Sequence, residues 1–171
     1  MDLHTLIRDI ADYPKPGIVF KDISPLLKNP AGLAMAVEMM ANPYRGMGVE
    51  LVCGAESRGF IFGTAIAQAL SAGFVPIRKP GKLPYDTHAK SYDLEYGTDT
   101  LEIHTDAVAK GQKVLMVDDL LATGGTMQAS CELVKQMGGD IVGVTVLIEL
   151  TFLSGRDKLN AFGEAHAVLT Y

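Results

Sequence analysis

The stretch from Val114 to Thr126 constrains this chain most, because its character changes twice within a few residues. The apolar run Val114–Val117 is typical of a buried strand. The consecutive acids Asp118 and Asp119 are expected only where such a strand reaches its C-terminal end. Residues 122–126 then combine two glycines with two threonines, directly before a segment of helical periodicity. The order therefore predicts a strand, a flexible polar loop and a helix.

The chemistry of that loop suits a phosphate. The unpaired amides of a first helical turn point outward with the positive end of the helix dipole, and glycine allows an anion to approach the backbone. Asp118 and Asp119 would repel the same anion, so they are expected to serve sugar hydroxyls or a divalent cation. A phosphorylated sugar satisfies both requirements.

Length and composition limit the remaining possibilities. At 171 residues with 48% hydrophobic residues, the chain is predicted to form one domain, residues 1–171. A formal charge of −5 and a pI near 5.3 argue against nucleic acid or an acidic membrane as partners. The two cysteines and four scattered histidines show no disulfide or zinc spacing, and the N-terminus lacks a secretory pattern, so a cytoplasmic location is predicted.

Alternating strand and helix patterns indicate the fold class. Apolar runs typical of strands occupy residues 51–55, 74–77, 114–117 and 141–148, with helical segments between them. This order predicts an α/β fold with a mainly parallel, twisted, doubly wound sheet flanked by helices on both faces. Ligands bind beyond the carboxyl ends of such strands, so residues 56–58 and the two acids are expected to meet in one cleft.

Three other segments have predicted roles. Residues 3–10 are expected to form a short amphipathic helix that ends before Pro14. Arg78–Tyr85 concentrates three positive charges among prolines and glycine, which indicates an exposed loop. Residues 91–96 and 100–104 alternate polar and apolar residues, which predicts a projecting hairpin. Phe20 fits either a core position or a stacking surface, and composition alone favours the core.

Other site classes were weighed against the sugar-phosphate hypothesis. Residues 54–60 have the glycine spacing of a P-loop but lack its lysine and hydroxyl residue, which argues against a nucleotide triphosphatase. Ser57 has no G-x-S-x-G context, so it is expected to contact phosphate or cap a helix. Adjacent acids at a strand end also occur in magnesium-binding receiver domains, but those do not explain residues 122–126. The two acids could also simply cap the following turn.

Five stretches, in this order along the chain, resemble type I phosphoribosyltransferases: Pro16–Ile23, Glu56–Phe60, Arg78–Pro84, Leu94–Gly97 and Val117–Thr126. The resemblance runs from about Tyr13 to Leu159, and its leucine-rich acidic motif is that of the members acting on adenine. It implies an N-terminal hood over residues 1–30 and a mobile flap over residues 79–104. Two positions differ from common family residues: Glu56, where aspartate is also common, and Lys21, where arginine is frequent.

The resemblance implies a purine salvage enzyme. It would transfer the 5-phosphoribosyl group from phosphoribosyl pyrophosphate to N9 of adenine, giving AMP and pyrophosphate. Mg²⁺ would be held mainly through the substrate, with no direct protein ligand. A homodimer is implied, with no nucleic-acid or membrane partner.

The resemblance also assigns roles to individual residues. The 5-phosphate would be bound by Ala122, Thr123, Gly124, Gly125 and Thr126, and the ribose by Asp118 and Asp119. Pyrophosphate would be bound by Glu56, Ser57, Arg58, Arg78, Lys79 and Lys82, and adenine by Val19, Phe20, Lys21 and Leu120. Glu95 and Arg58 would be catalytic, and a non-proline cis peptide is expected between Ala55 and Glu56.

Two alternatives stay open at this point. The base could be hypoxanthine or xanthine instead of adenine. The chain could also be a regulator that binds phosphoribosyl pyrophosphate without chemistry. A DNA-binding regulator would need an added basic module, which the sequence does not show.

Overall fold

The computed structural model describes residues 1–94 and 96–171. Over these residues the strands are β1 Arg8–Ala11, β2 Val19–Asp22, β3 Leu51–Ala55, β4 Gly73–Ile77, β5 Thr87–Asp93, β6 Thr98–His104, β7 Lys113–Leu121, β8 Asp140–Glu149 and β9 Ala165–Thr170. The α-helices are α1 Ser24–Lys28, α2 Pro30–Ala41, α3 Arg58–Leu70 and α4 Gly125–Gln136. Short 3-10 segments occupy Leu3–Leu6, Asn42–Tyr44, Thr151–Leu153 and Gly155–Phe162.

A five-stranded sheet in the order β4-β3-β7-β8-β9 forms the centre of the molecule, and all of its neighbouring strands are parallel. Parallel strands are normally buried on both faces, which explains their continuous apolar runs. Two core clusters result, one with Met127 and Leu133 of α4 and one with Met40 of α2 and Phe62 of α3. Helices therefore cover both faces, and the predicted α/β fold is confirmed.

The central strand β7 shows how one sequence serves two faces. Val114 and Met116 belong to the α4-side cluster, whereas Leu115 and Val117 belong to the cluster with α2 and α3. This is the period-2 alternation of a strand. The strand continues to Leu121 and so passes through both acids, which the sequence had placed at its end.

The N-terminal helix prediction is wrong. Only Leu3–Leu6 forms a helical turn, of 3-10 type, and Arg8–Ala11 forms strand β1. This strand pairs antiparallel with β2, with Ile10 opposite Phe20. The apolar spacing that suggested a helix is therefore divided between two elements, because pairing with β2 supplies the backbone hydrogen bonds that a helix would have supplied.

A second ribbon projects from the sheet. Strands β5 and β6 pair antiparallel along their full lengths, from Thr87 opposite His104 to Asp93 opposite Thr98. The basic loop Arg78–Tyr85 precedes it, and its first residue is tied to β6 by two backbone hydrogen bonds between Arg78 and Glu102 of 3.0 and 2.7 Å. The predicted hairpin is therefore present, although it begins four residues earlier than expected. Among the described residues, no helix has the length and apolar character needed to cross a bilayer.

Candidate active site

A cavity of about 470 Å³ lies where β3 and β7 end side by side. Each of these strands is followed by a turn and then by the N-terminus of a helix, α3 or α4, so polar turn residues collect at one edge of the sheet. The cavity is lined by Glu56, Ser57, Arg58, Lys79 and the continuous segment 118–127. Two of the predicted loops therefore meet in one cleft.

The two acids share this cavity although they are consecutive. Residues in a regular strand point alternately to opposite faces, but the alternation is interrupted here. Met116 and Leu121 contact the same core cluster despite being an odd number of residues apart. Both Asp118 and Asp119 consequently line the cavity.

Each acid has distinct partners. Arg58 Nε donates to Asp119 Oδ2 at 2.5 Å, and the Asp119 amide donates to Asp118 Oδ1 at 2.8 Å. Asp118 Oδ1 also lies near Gly59, where the β-carbon of any larger residue would come within 3.1 Å of it. Glycine at position 59 thus keeps the space around the carboxylate open.

Asp118 has a pKa well above the ordinary range of a carboxyl group, first because burial disfavours its charge and second because Asp119 is close. A carboxyl whose pKa is raised on folding stabilises the fold at low pH and loses that contribution as pH rises through the raised pKa. We therefore expect Asp118→Asn to melt at the wild-type temperature below the ordinary carboxyl pKa of about 4, and at a higher temperature near pH 7. Melting curves recorded from pH 3.5 to 8 measure this; a constant difference across that range would contradict it.

The loop before α4 has the geometry of an anion cradle. Gly124 adopts φ 85°, a left-handed conformation that glycine accepts without steric cost, and α4 begins at Gly125. The first amides of an α-helix have no partner within the helix and carry the positive end of its dipole. Thr123 is exposed, and Thr126 is half-buried beside the cavity. The loop comprises Ala122–Gly124 and is two residues shorter than predicted, because Gly125 and Thr126 already form the first turn of α4.

A second segment supports that loop from behind. Gly155, the first residue of a 3-10 segment, packs so closely that a side-chain carbon there would lie 2.2 Å from the Ala122 carbonyl oxygen and 2.9 Å from the Gly124 amide nitrogen. The next residue, Arg156, forms an ion pair with the buried Glu149 at 2.5 Å and also donates to the Ala165 carbonyl. These contacts hold the segment that packs against Ala122–Gly124.

Glu56 organises the basic loop. Its carboxylate accepts from the Lys79 amide at 2.7 Å and from Lys82 Nζ at 2.6 Å, and Arg78 Nε lies 3.3 Å from it. Burial acts to raise the pKa of Glu56, but the hydrogen bonds from Lys82 and the Lys79 amide outweigh it and leave a lowered pKa. Lys79 lines the cavity. Arg78 and Lys82 are not among its lining residues and are linked to it by their ion pairs with Glu56.

The non-proline cis peptide lies at a different bond from the one expected. It joins Glu56 to Ser57, one residue later than the Ala55–Glu56 bond implied by the resemblance. The change moves it from the end of strand β3 into the turn that leads to α3, where the chain leaves the sheet.

Of the two residues that the resemblance assigns to the faces of adenine, Leu120 lines the cavity and Phe20 is not among its lining residues. Phe20 is half-buried, lies outside both core clusters and has the Arg58 guanidinium carbon 5.5 Å from its ring centre. This exposure favours the stacking role over the core role that composition suggested. Val19 and Lys21 lie two apart on β2, so their backbone groups face the same edge of that strand.

The side chain of Lys21 is directed elsewhere. Its ammonium group binds Asp9 Oδ1 at 2.7 Å and lies 3.9 Å from the ring centre of Tyr171, the last residue. His4 also contacts Tyr171, at 3.1 Å from its hydroxyl. The side chain of Lys21 thus ties β2 to Asp9 of β1 and to Tyr171.

The hairpin reaches the site at two points. The Tyr92 hydroxyl lies 3.3 Å from Asp99 Oδ2 and 3.2 Å from Thr126 Oγ1. Asp99 Oδ2 also accepts from Lys79 Nζ. Glu95, which was expected to be catalytic, lies outside the described residues.

Sequence reasoning missed three residues next to the site: Tyr92, Asp99 and Gly155. Each is far along the chain from the loop that it contacts, and no local pattern connects Tyr92 with Thr126 or Gly155 with Ala122. Tyr92 had been recognised only as one of the alternating residues of a hairpin.

The carboxylates of the cleft are not arranged as a metal cage. Asp119 is paired with Arg58, and Glu56 is surrounded by cationic groups. Among the described residues, no three potential ligands from histidine, cysteine, aspartate and glutamate cluster together. A hard cation such as Mg²⁺, which prefers several oxygen ligands, fits this cleft when a substrate supplies most of those oxygens.

Comparisons with known proteins agree with this geometry. The family model described as "Phosphoribosyl transferase domain" matches residues 22–159. A curated adenine phosphoribosyltransferase from Thermobifida fusca is 57% identical over 162 residues, which cover 92% of each chain. The adenine phosphoribosyltransferase structure from Thermoanaerobacter pseudethanolicus has a TM-score of 0.95 at 49% identity and covers 99% of this chain and 98% of that one.

A more distant structure contains ligands. The adenine phosphoribosyltransferase of Saccharomyces cerevisiae, complexed with an imino-altritol bisphosphate and adenine, has a TM-score of 0.92 at 36% identity. It covers 98% of this chain and 96% of that one. The cleft, the sheet that positions it and these similarities agree: the chain belongs to the phosphoribosyltransferase family, and within it to the adenine phosphoribosyltransferases.

Proposed function

We propose that the cleft transfers the 5-phosphoribosyl group from phosphoribosyl pyrophosphate to N9 of adenine, giving AMP and pyrophosphate in purine salvage. The supporting observation is that one cavity brings together a phosphate loop, two acids, two cationic side chains and an apolar wall. Each part suits a different portion of the two substrates. A regulator that only binds the sugar phosphate would not need a wall for the base.

The sugar and its 5-phosphate occupy the α4 side of the cleft in this proposal. Ala122, Thr123, Gly124, Gly125 and Thr126 bind the 5-phosphate through backbone amides and the two hydroxyls. Asp118 and Asp119 accept hydrogen bonds from the ribose hydroxyls at C2 and C3. Because Arg58 already donates to Asp119, ribose must share or replace that contact.

Pyrophosphate occupies the α3 side. In the reaction, N9 forms a bond to the anomeric carbon as the bond to pyrophosphate breaks, and the electron pair leaves with pyrophosphate. The proton on N9 of adenine is lost to a base, a role proposed below for Glu95. Arg58, Lys79 and the Ser57 backbone neutralise that developing charge. The Glu56 side chain is already engaged by the basic loop, so it positions Arg78, Lys79 and Lys82, and its own contact with pyrophosphate is through the backbone.

Adenine lies between Phe20 and Leu120. Flat apolar contacts on both faces hold the ring, and the main chain of Val19 and Lys21 reads its edge. The Lys21 side chain is engaged with Asp9 and Tyr171, which supports recognition by backbone groups. It also explains how lysine can stand where arginine is frequent.

Glu95 is proposed as the acid/base or the group that stabilises the positive charge on the ribose ring. In the sequence it falls between the residues of β5 and those of β6. Closure of this flap would exclude water that could hydrolyse the activated sugar. A Glu95→Ala enzyme is expected to lose mainly kcat, and an unchanged kcat would remove Glu95 from catalysis.

Mg²⁺ is the proposed cofactor. When bound to phosphoribosyl pyrophosphate, it would neutralise pyrophosphate oxygens and make that group a better leaving group. Asp119 and Glu56 are already paired with protein cations, so most of the coordination is left to the substrate. Omission of Mg²⁺ from the assay is expected to suppress turnover.

We further propose a cytoplasmic homodimer. Both cysteines are buried and free, which suits a reducing compartment. Met35 and Met39 of α2 and Ile61 of α3 are more than one-third exposed on two helices that pack together, and such a surface suits a second copy of the chain. Sedimentation at micromolar concentration would show a monomer mass if this assembly does not form.

A competition between bases tests the proposed reaction. Purified enzyme with phosphoribosyl pyrophosphate and Mg²⁺ is given labelled adenine, hypoxanthine, guanine or xanthine in separate reactions. AMP is expected as the dominant product, with kcat/KM for the other bases at least about 100-fold lower, because the main-chain edge cannot satisfy an oxo group where an amino group is required. Faster transfer to hypoxanthine or xanthine would support the other purine activity, and binding without turnover would support a regulator.

A further inference from the structure

The hydroxyl of Tyr92 joins two parts of the molecule that are separate in sequence. Tyr92 lies on β5, directly opposite Asp99 of β6. It contacts Asp99 and, 34 residues away, Thr126 of the phosphate loop. Its ring packs on the same loop, since a side-chain carbon at Gly125 would lie 3.2 Å from Tyr92 Cδ2. The hairpin is thereby seated on the first turn of α4.

The number of hydroxyl protons limits which residue donates in the hydrogen bond between Tyr92 and Thr126. A phenol has one proton to donate, and so does the threonine hydroxyl. If Tyr92 donates to the Asp99 carboxylate, the Thr126 hydroxyl can donate to Tyr92, and its proton then points away from the cavity. If Tyr92 donates to Thr126 Oγ1, the Thr126 proton is free to point into the cavity. A phosphate has acceptor oxygens at its surface, so it needs the Thr126 proton. Of the two arrangements, only the second delivers this proton and also keeps the hydrogen bond between Tyr92 and Thr126.

Asp99 can lose the hydrogen bond from Tyr92 because other groups also donate to its carboxylate. Its Oδ2 accepts from Lys79 Nζ, and its Oδ1 accepts from the Thr100 amide at 2.9 Å. The carboxylate is therefore not left unpaired when Tyr92 turns to Thr126. The exchange replaces a hydrogen bond to a carboxylate by a weaker one to a neutral hydroxyl. The charge-assisted hydrogen bond from Thr126 to the phosphate offsets that loss.

We propose that Tyr92 is a positioning residue for the 5-phosphate: its hydroxyl donates to Thr126 Oγ1 and directs the Thr126 proton to the substrate. The inference rests on the proposed role of the loop 122–126. In this proposal the hairpin contributes to the binding of the sugar phosphate itself. This contribution is separate from any closure of the hairpin over the site.

The variant Tyr92→Phe tests this, because it removes the hydroxyl and keeps the ring on Gly125. A lost hydrogen bond to a neutral partner corresponds to about a three- to tenfold change in affinity. We expect KM for phosphoribosyl pyrophosphate to rise by this factor, while kcat changes less than about twofold and KM for adenine does not change. The inhibition constant of AMP as a product inhibitor should rise by the same factor. The inhibition constant of pyrophosphate, which lacks the 5-phosphate, should not change.

Ser91→Ala is the matched control. Ser91 precedes Tyr92 on the same strand, and its hydroxyl bonds Thr100 across the hairpin at 2.8 Å, away from the cavity. It should keep wild-type kinetics. The proposed role of Tyr92 is overturned if Tyr92→Phe and Ser91→Ala have the same KM for phosphoribosyl pyrophosphate. It is also overturned if Tyr92→Phe raises the inhibition constants of AMP and pyrophosphate by the same factor.

A double-mutant cycle separates this inference from the assignment on which it rests. Thr126→Val removes the hydroxyl that would contact the phosphate. If Tyr92 acts through Thr126, the double variant should have a KM for phosphoribosyl pyrophosphate within about twofold of that of Thr126→Val alone. Independent, multiplicative effects would overturn the inference alone. No effect of Thr126→Val on KM or on AMP inhibition would overturn the phosphate assignment itself.

Discussion

The double variant Asp118→Asn with Asp119→Asn is expected to lose measurable turnover while it keeps its fold. Each acid would lose a charge-assisted hydrogen bond to a ribose hydroxyl, and such bonds contribute roughly 1.5–3 kcal/mol each. Two of them correspond to about a 10²- to 10⁴-fold loss in kcat/KM. The Arg58 guanidinium also loses its carboxylate partner at 2.5 Å, so the group proposed to bind pyrophosphate is no longer held in place.

The measurement is initial-rate AMP formation, with circular dichroism and thermal melting as checks on the fold. At position 118 the raised pKa shows that the folded state disfavours the charged carboxylate, so a neutral amide is compatible with the fold there. Asp140→Asn, an exposed acid at the amino end of the neighbouring strand β8, is the matched control and should retain full activity. A double variant with near-normal activity would contradict the ribose-binding role of the two acids.

The second large effect is expected from Gly155→Ala, although Gly155 contacts no proposed substrate. The added methyl group would lie 2.2 Å from the Ala122 carbonyl oxygen, a backbone atom that cannot rotate away. The phosphate loop must therefore move by a substantial fraction of an ångström. Since a misplacement of about 1 Å can cost about 100-fold in rate, we expect a loss of that order in kcat/KM for phosphoribosyl pyrophosphate, and a lower melting temperature.

Gly111→Ala separates this displacement from the general cost of replacing a glycine. Gly111 has φ 81° and no atom within 4 Å of where its side-chain carbon would be. The substitution should lower stability by about 1–2 kcal/mol because of its backbone conformation, with unchanged kinetics. Equal kinetic constants for the two variants would show that the phosphate loop does not depend on the segment behind it.

The parts of the structure that were predictable depend on short-range patterns. The strand, acids and glycine loop from Val114 to Thr126 follow one another in sequence, so their order determines their local structure. The α/β fold followed from the same kind of alternation. At the N-terminus this reasoning failed, because the apolar spacing of Leu3 to Ile10 fits a helix as well as a turn followed by a strand. Pairing with β2, a non-local contact, decides between them.

The parts of the site that could not be predicted are contacts between distant segments. Phe20 was assigned to the core by composition, yet its half-buried ring faces Arg58. Glu56 was assigned to pyrophosphate, but its side chain binds a loop more than twenty residues away. Residue type alone misplaced Phe20 in the core, whereas for Glu56 it indicated the cleft but not the partner. The partner depended on tertiary packing, which a single sequence does not specify.

The ribbon of β1 and β2 shares no strand pairing with the five-stranded sheet. In the proposed site, the ribbon reads the base and the sheet holds the sugar phosphate. Recognition of the edge of the base and binding of the sugar phosphate are therefore assigned to different structural units, and Leu120 of β7 is the contact that the sheet makes with the base. An ancestral enzyme could have changed the nucleobase that it salvages by altering the first thirty residues, while the machinery for phosphoribosyl pyrophosphate stayed intact.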